Sequence, residues 1–292
     1  MKTADREMNM CKTRNTKLRT SMLTALIAAL LLPVAAWAAD GHKVSRDWVD
    51  VRMTFYVDVN HDGEVKGTED APFRSITAAL EAVSIHAAAN PGFLKIGEVK
   101  QDGRKSAPPH PAYGIEVADG AYTHETEAFG KDGLAIAHNV LIRGGHPGNG
   151  EWLPAFTPLT KHSRPNATEA IYETTGRGSI IDLQSKSRAF LVQGDAMFRL
   201  YGFTVRNGRS AEKGGAVCYR NSKKDPEQGL HRSLIRDCTF ERNRAEHGGA
   251  VYANAVANLR IVRNTFRYNK ADAKGGAIFS ETQSLTRKGV FH

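Results

Sequence analysis

In the last third of the chain, apolar residues come in short runs between polar ones, and their spacing repeats. When the segment beginning at Leu234 is laid on a later one with Phe240 over Phe266, Ile235 meets Ile261 and Thr239 meets Thr265. Asn243 then meets Asn269 and Ala245 meets Ala271, and one extra residue in the later segment brings Val251 onto Ile278. The repeat is punctuated by Gly214-Gly215-Ala216-Val217, Gly248-Gly249-Ala250-Val251 and Gly275-Gly276-Ala277-Ile278, at spacings of 34 and 27 residues. A period of this size marks a unit that cannot bury its own apolar face and stacks on its neighbours, which is the pattern of a solenoid.

Each unit reads as short β-segments joined by tight turns, so the predicted fold is all-β. It is a right-handed, single-stranded parallel β-helix in which equivalent positions of successive coils lie about 4.8 Å apart. Phe240 and Phe266 would stack inside, and Val217, Val251 and Ile278 would form an aliphatic row. The glycine pairs allow a corner with positive φ. Asn243 and Asn269 suit a turn with that backbone and can bond to each other along the stack. After Phe203 the asparagine, Asn207, comes one residue late, which leaves the register of that coil open.

These residues carry a family resemblance. The alternation of Gly-Gly-Ala-Ile/Val with Phe240-Glu-Arg-Asn243 and Phe266-Arg-Tyr-Asn269 resembles the repeat of chlamydial-type polymorphic outer membrane proteins, a branch of the pectin-lyase-like β-helices. Upstream, Phe55-Tyr-Val-Asp58, Gly67-Thr-Glu-Asp-Ala-Pro-Phe73, Val117-Ala-Asp-Gly-Ala-Tyr122 and Val140-Leu-Ile-Arg-Gly-Gly145 are similar to the opening coils of secreted β-helix proteins. The resemblance spans roughly residues 54 to 281. It implies an exported cell-envelope protein.

The helical spacing of Ile76, Ala79, Leu80, Val83 and Ala87, with Ser75 as N-cap and Pro91-Gly92 as stop, predicts one helix. Placed after the first strand, it would cap the open N-terminal end of the solenoid. Polar inserts at 101–111 and 144–166 are rich in proline and glycine and read as surface loops. In the second, Trp152 and Phe156 either stack on a sugar ligand or pin the loop to the solenoid.

The N-terminus reads as a signal peptide over residues 1–38: Lys12, Arg14, Lys17 and Arg19 precede an apolar stretch from Met22 to Leu32, and Ala36-Trp37-Ala38 forms a cleavage pattern. A lead-in then runs over 39–53 and the β-helix domain over 54–292, whose C-terminal end looks uncapped or truncated. Loss of six basic and two acidic leader residues lowers the net charge from +9 to +5. The remaining excess is scattered, which argues against nucleic acid as a partner and leaves room for an acidic polysaccharide or another cell-surface ligand. Cys218 and Cys238 occupy different positions around the coil, so they are expected as buried free thiols.

One stretch matches a metal-binding pattern. Asp58, Asn60 and Asp62, the Glu64 carbonyl and Glu69 stand at calcium-loop positions 1, 3, 5, 7 and 12, with Gly63 at the turn. The alternative is an acidic turn that uses Asp and Asn for local backbone bonding. No nucleophile motif or histidine metal spacing is present. Asp182, Asp195, Asp237, Arg236, Arg263 and Arg267 could serve a polysaccharide lyase, but Asp237 over Arg263 and Glu241 over Arg267 are better read as structural charge pairs between coils.

The expectation is a non-catalytic adhesion or binding module on the cell envelope. An enzyme acting on acidic polysaccharide is the alternative, and a truncated remnant of a larger outer membrane β-helix is a third reading. An exposed last coil would also favour self-association through its edge.

Overall fold

The computed structural model describes residues 51–91, 93, 113–146, 148, 152, 178–194, 196–220, 233–254 and 259–281. The leader, residues 39–50 of the lead-in, Asp195 and Phe156 lie outside the described residues.

Strand β1 (Met53–Val57) and helix α1 (Ile76–Ala89) come first. Coils follow, each returning to the same faces. The first comprises β2 (Tyr113–Ala118), β3 (Gly120–Tyr122) and β4 (Leu134–Ile136), and the second β5 (Val140–His146), β6 (Ser179–Asp182) and β7 (Phe190–Gln193). The third holds β8 (Phe198–Tyr201), β9 (Phe203–Arg206) and β10 (Val217–Arg220). The fourth has β11 (Leu234–Arg236), β12 (Thr239–Glu241), β13 (Arg244–His247) and β14 (Val251–Asn254). The fifth has β15 (Arg260–Val262), β16 (Thr265–Arg267), β17 (Lys270–Lys274) and β18 (Ile278–Glu281).

Neighbouring strands of one face are a full coil apart in sequence. The sheets run β1-β2-β5-β8-β11-β15, β3-β6-β9-β12-β16 and β4-β7-β10-β14-β18, with a short β13-β17 pair, and their strand pairs are parallel. This is a parallel β-helix.

Each of the three main sheets sends a central row of apolar side chains inward. The first row is Phe55, Ile115, Ile142, Leu200, Ile235 and Ile261. The second is Tyr122, Ile181, Val205, Phe240 and Phe266. The third is Leu134, Phe190, Val217, Val251 and Ile278. Members of the inner coils are essentially inaccessible, and each such side chain contributes roughly 1.5–3 kcal/mol by leaving water. The Phe240 and Phe266 rings stack at 5.1 Å and 8°.

The structure fixes the register that the sequence leaves open at Phe203, and it moves the corner backbone by one residue. Val205, not Phe203, lies on Phe240, so Phe203 shares the place of Cys238 and Gly208 that of Asn243. The late asparagine, Asn207, is therefore a corner residue with φ of 55°, equivalent to Arg242 at 54° and Tyr268 at 57°. The left-handed backbone thus falls one residue before Asn243 and Asn269 rather than on them. The extra residue of the last coil is absorbed by a bulge in β17, where Arg244 pairs with Lys270 but His247 with Lys274.

Only the first glycine of each pair takes a positive φ: 61°, 61° and 66° at Gly214, Gly248 and Gly275. The second serves close approach. A Cβ on Gly215 would lie 2.2 Å from the Gly249 carbonyl oxygen, and one on Gly249 would lie 2.3 Å from that of Gly276.

Helix α1 starts where predicted, with Ser75 Oγ accepting from the Ala78 N–H at 3.1 Å. Glu127, fifty residues on, closes the same end by accepting from the N–H groups of Ile76 at 2.7 Å and Thr77 at 2.8 Å. The buried face of α1, Ile76, Ala79, Ala82, Val83 and Ala87, joins the core against β1 and β2.

Candidate functional site

The acidic loop after β1 is organised by its own short-range bonds. Asp58 is buried and its Oδ1 accepts from the Asn60 N–H at 2.9 Å. The Asn60 amide donates to the Asp119 carbonyl at 3.3 Å, and the Glu64 carbonyl lies 2.8 Å from His61 Nε2. The Glu64 carboxylate pairs with Lys66 at 2.8 Å. Glu69 contributes its backbone carbonyl to the Trp152 indole N–H at 3.2 Å. Among the described residues no three of His, Cys, Asp and Glu gather as a metal-holding group, Asp58, Asp62, Glu64 and Glu69 included. The sharp positive-φ turn falls at Gly67, φ 78°, where a Cβ would meet the Phe73 ring, and not at Gly63.

Trp152 packs edge-on against Tyr56 at 4.8 Å and against His146 at 5.3 Å. With the bond to Glu69, these contacts fasten the residue to the first sheet. The loop reading for 144–166 begins too early, because Gly144, Gly145 and His146 complete β5.

Beneath Trp152 lies a cluster that no local motif signals. Tyr56, Glu116 and Arg143 share one register position on β1, β2 and β5, facing away from the core row. The Glu116 carboxylate meets Arg143 Nε at 2.5 Å and His146 Nε2 at 2.6 Å; the two partners are 3% and 0% exposed. Burial pushes the Glu116 carboxyl upward, but the hydrogen bonds and charges of His146 and Arg143 outweigh it and hold the group below the ordinary carboxylate range. Burial, then the carboxylates of Glu69 and Glu116, push the Tyr56 hydroxyl up to about 12. These residues come from β1, β2 and β5, up to 90 positions apart in the chain, which hides them from sequence reading. The mutual spacing of Glu116, Arg143 and His146 satisfies charges that would otherwise be costly to bury.

On the repeat faces, charge is arranged in columns. Asp182, Arg206, Glu241 and Arg267 share one position on β6, β9, β12 and β16, alternating in sign from coil to coil. Arg206 bonds Asp182 at 2.8 Å and Arg267 bonds Glu241 at 2.8 Å. Arg263 grips both oxygens of Asp237 at 2.8 and 2.9 Å. Arg244, stacked on Lys270, pairs sideways with Asp272 at 2.8 Å. Arg263 and Arg267 are engaged in the structural pairs that the alignment predicted, and Arg206 makes the same kind of pair with Asp182. Exposed pairs of this kind contribute little singly, roughly 0–1 kcal/mol, but they set register.

An asparagine ladder runs beside the column. Asn269 Oδ1 accepts from the Asn243 N–H at 3.0 Å, and Asn243 Oδ1 accepts from the Gly208 N–H at 2.8 Å. Cys218 and Cys238 are free and buried as predicted, and burial pushes the Cys238 thiol up to about 12, which keeps it un-ionised and unreactive.

No curated protein and no solved structure matches the chain. Residues 237–254 and 265–281, which hold Asn243 and Asn269 and the Glu241–Arg267 and Arg244–Asp272 pairs, match the Chlamydia polymorphic membrane protein repeat.

Proposed function

We propose that the chain is an outer membrane surface protein that works by binding, its β-helix serving as a rigid platform for adhesion. The observation that carries this reading is the match of the last two coils to the polymorphic membrane protein repeat. The use of the repeat-face arginines in pairs between coils supports it, because those groups serve the stack rather than converge on one reacting atom. The basic surplus of the chain suits an anionic polysaccharide or cell-surface ligand.

Two measurements test the proposal. On intact cells, externally added protease or antibody should reach the protein, and the purified chain should bind acidic polysaccharide in a salt-sensitive manner without releasing unsaturated products. Protection from protease on intact cells would overturn the surface placement. Steady turnover, read by ultraviolet absorbance and lost with one Arg or Lys substitution, would replace adhesion by a lyase activity.

A further inference from the structure

We propose that the outer side of β12 and β16, with the corners that flank it, is a docking face for a carboxylate-bearing polysaccharide; this rests on the binding reading given above and assigns that binding to particular residues. The basic surplus, scattered as it looks along the sequence, is not held evenly. Residues 39–194 carry 16 Lys/Arg and 20 Asp/Glu, whereas residues 195–292 carry 18 and 9. The coils from β8 onward therefore belong to the cationic part of the chain.

In the last two described coils the ion pairs leave their cations outermost. Glu241 is shared by Arg242 and Arg267; it is 9% exposed, while the two arginines are 59% and 54% exposed. Asp237 is shared in the same way by Arg236 and Arg263, and it too is less exposed than either arginine. A carboxylate held between two guanidinium groups cancels only one of them, so each set keeps one positive charge, and that charge is the part that meets water. Exposed Lys270 adds another beyond the next corner. The planar fork of arginine matches a carboxylate through two parallel hydrogen bonds, which suits a uronate better than a neutral sugar.

The second observation is Tyr268, which is 75% exposed on a corner whose backbone is left-handed, with φ of 57°. Asparagine suits that backbone, as at Asn207, and a bulky side chain is uncommon there. What Tyr268 and its equivalent Arg242 gain is contact with each other outside the core: the guanidinium carbon lies 5.6 Å from the ring centroid. A tyrosine among cations presents an apolar plate to the C–H face of a sugar and a hydroxyl at its edge. A membrane surface would call for several apolar side chains to enter it. Of the large apolar side chains exposed among the described residues, only Tyr268 lies on this face, with Val65 in the loop after β1 and Ile278 on the third sheet.

Titrating the full chain with polygalacturonate at several salt concentrations, with dextran as the neutral control polymer, tests the face. Saturable binding to polygalacturonate alone is expected, weakening as salt rises. Arg242→Gln together with Lys270→Gln should weaken it about tenfold and reduce its salt dependence, because two cations leave the face. The melting temperature should hold, since Glu241 keeps Arg267. Tyr268→Ala should weaken binding about fivefold and leave the salt dependence as it was. Lys131→Gln together with Lys186→Gln, an equal loss of charge from exposed positions off the face, should change binding by less than about twofold. Equal weakening by the two charge-removing pairs, or indifference to Tyr268→Ala and to the Arg242 and Lys270 changes while the parent binds, would overturn this face and leave the binding reading standing. No binding by the parent would overturn both. Tighter binding to vesicles of anionic phospholipid than to polygalacturonate, sensitive to the same variants, would assign the face to a membrane and overturn the polysaccharide.

Discussion

Asn243 and Asn269 occupy the same place in successive coils, and the Oδ1 of Asn269 accepts from both the backbone N–H and the side-chain amide of Asn243, at 3.0 and 3.1 Å. Asn243 in turn donates to the Val205 carbonyl at 3.0 Å and accepts from Gly208, so one buried side chain ties three coils. Asn243→Ala should destabilise by about 1–3 kcal/mol, because Gly208 N–H and Val205 C=O lose their side-chain partner. Asn269→Ala, at a half-buried position, should cost less. Urea midpoints of the two variants check the ordering.

The phenylalanine stack gives a second graded pair. Phe240 is fully buried between Val205 and Phe266, whereas among the described residues Phe266 has a coil on one side only. Phe240→Ala should cost about 3–5 kcal/mol, and Phe266→Ala clearly less. Equal losses in chemical denaturation would show that the last coil is covered as fully as the one before it.

Acid should loosen the first sheet through Glu116. Its folded-state carboxyl is held below the ordinary range by His146 and Arg143, despite burial. The stabilisation is therefore complete above the unfolded value, about 4.3, and lost as pH falls through the folded value, where the folded carboxylate protonates. Glu116→Gln should lower the melting temperature at neutral pH and flatten its decline below about pH 4.3. Parallel acid slopes for the variant and the parent would remove Glu116 from the account.

The second glycines predict opposite outcomes for one substitution. Gly249→Ala should cost roughly 1–3 kcal/mol or more, because its Cβ would lie 2.3 Å from a backbone carbonyl that moves only with its coil. Gly276→Ala, facing open space, should be near neutral in the isolated chain.

Calcium tests the loop after β1. With Asp58, Asn60 and Glu64 in the bonds described, millimolar calcium is expected to leave the melting temperature unchanged. A rise that disappears in Asp62→Ala would show that the loop rearranges around the ion, since a ligand that binds only the folded state raises stability by linkage.

Features that recur were legible in the sequence, because a parallel stack places equal residues on each other. Phe240 over Phe266, Asp237 under Arg263, and the row Val217, Val251, Ile278 needed only an alignment of the chain with itself. The coil at Phe203 was less clear because its core position holds Val205 and its ladder position Gly208, so the asparagine it does carry marks a corner instead. Contacts between unlike parts gave no signal. Glu127 reaching the start of α1, and Glu116 held by Arg143 and His146, depend on where the coils bring distant residues together. The Asp58 loop stands apart: its residue types match the calcium pattern, and the calcium titration decides between an ion site and a turn.

The alternating column has a consequence for how such a solenoid can change length. Excising the coil from β11 to β14 would set Arg206 directly against Arg267, and inserting a single coil of either sign would create one like-charged neighbour in the same column. Two coils added or removed together leave every neighbour opposite. The electrostatic period is twice the structural one, so growth and loss by duplication are favoured in even steps, and an odd-numbered variant would keep one like-charged neighbour unless a member of the column were neutralised or the terminal Arg267 reversed in sign.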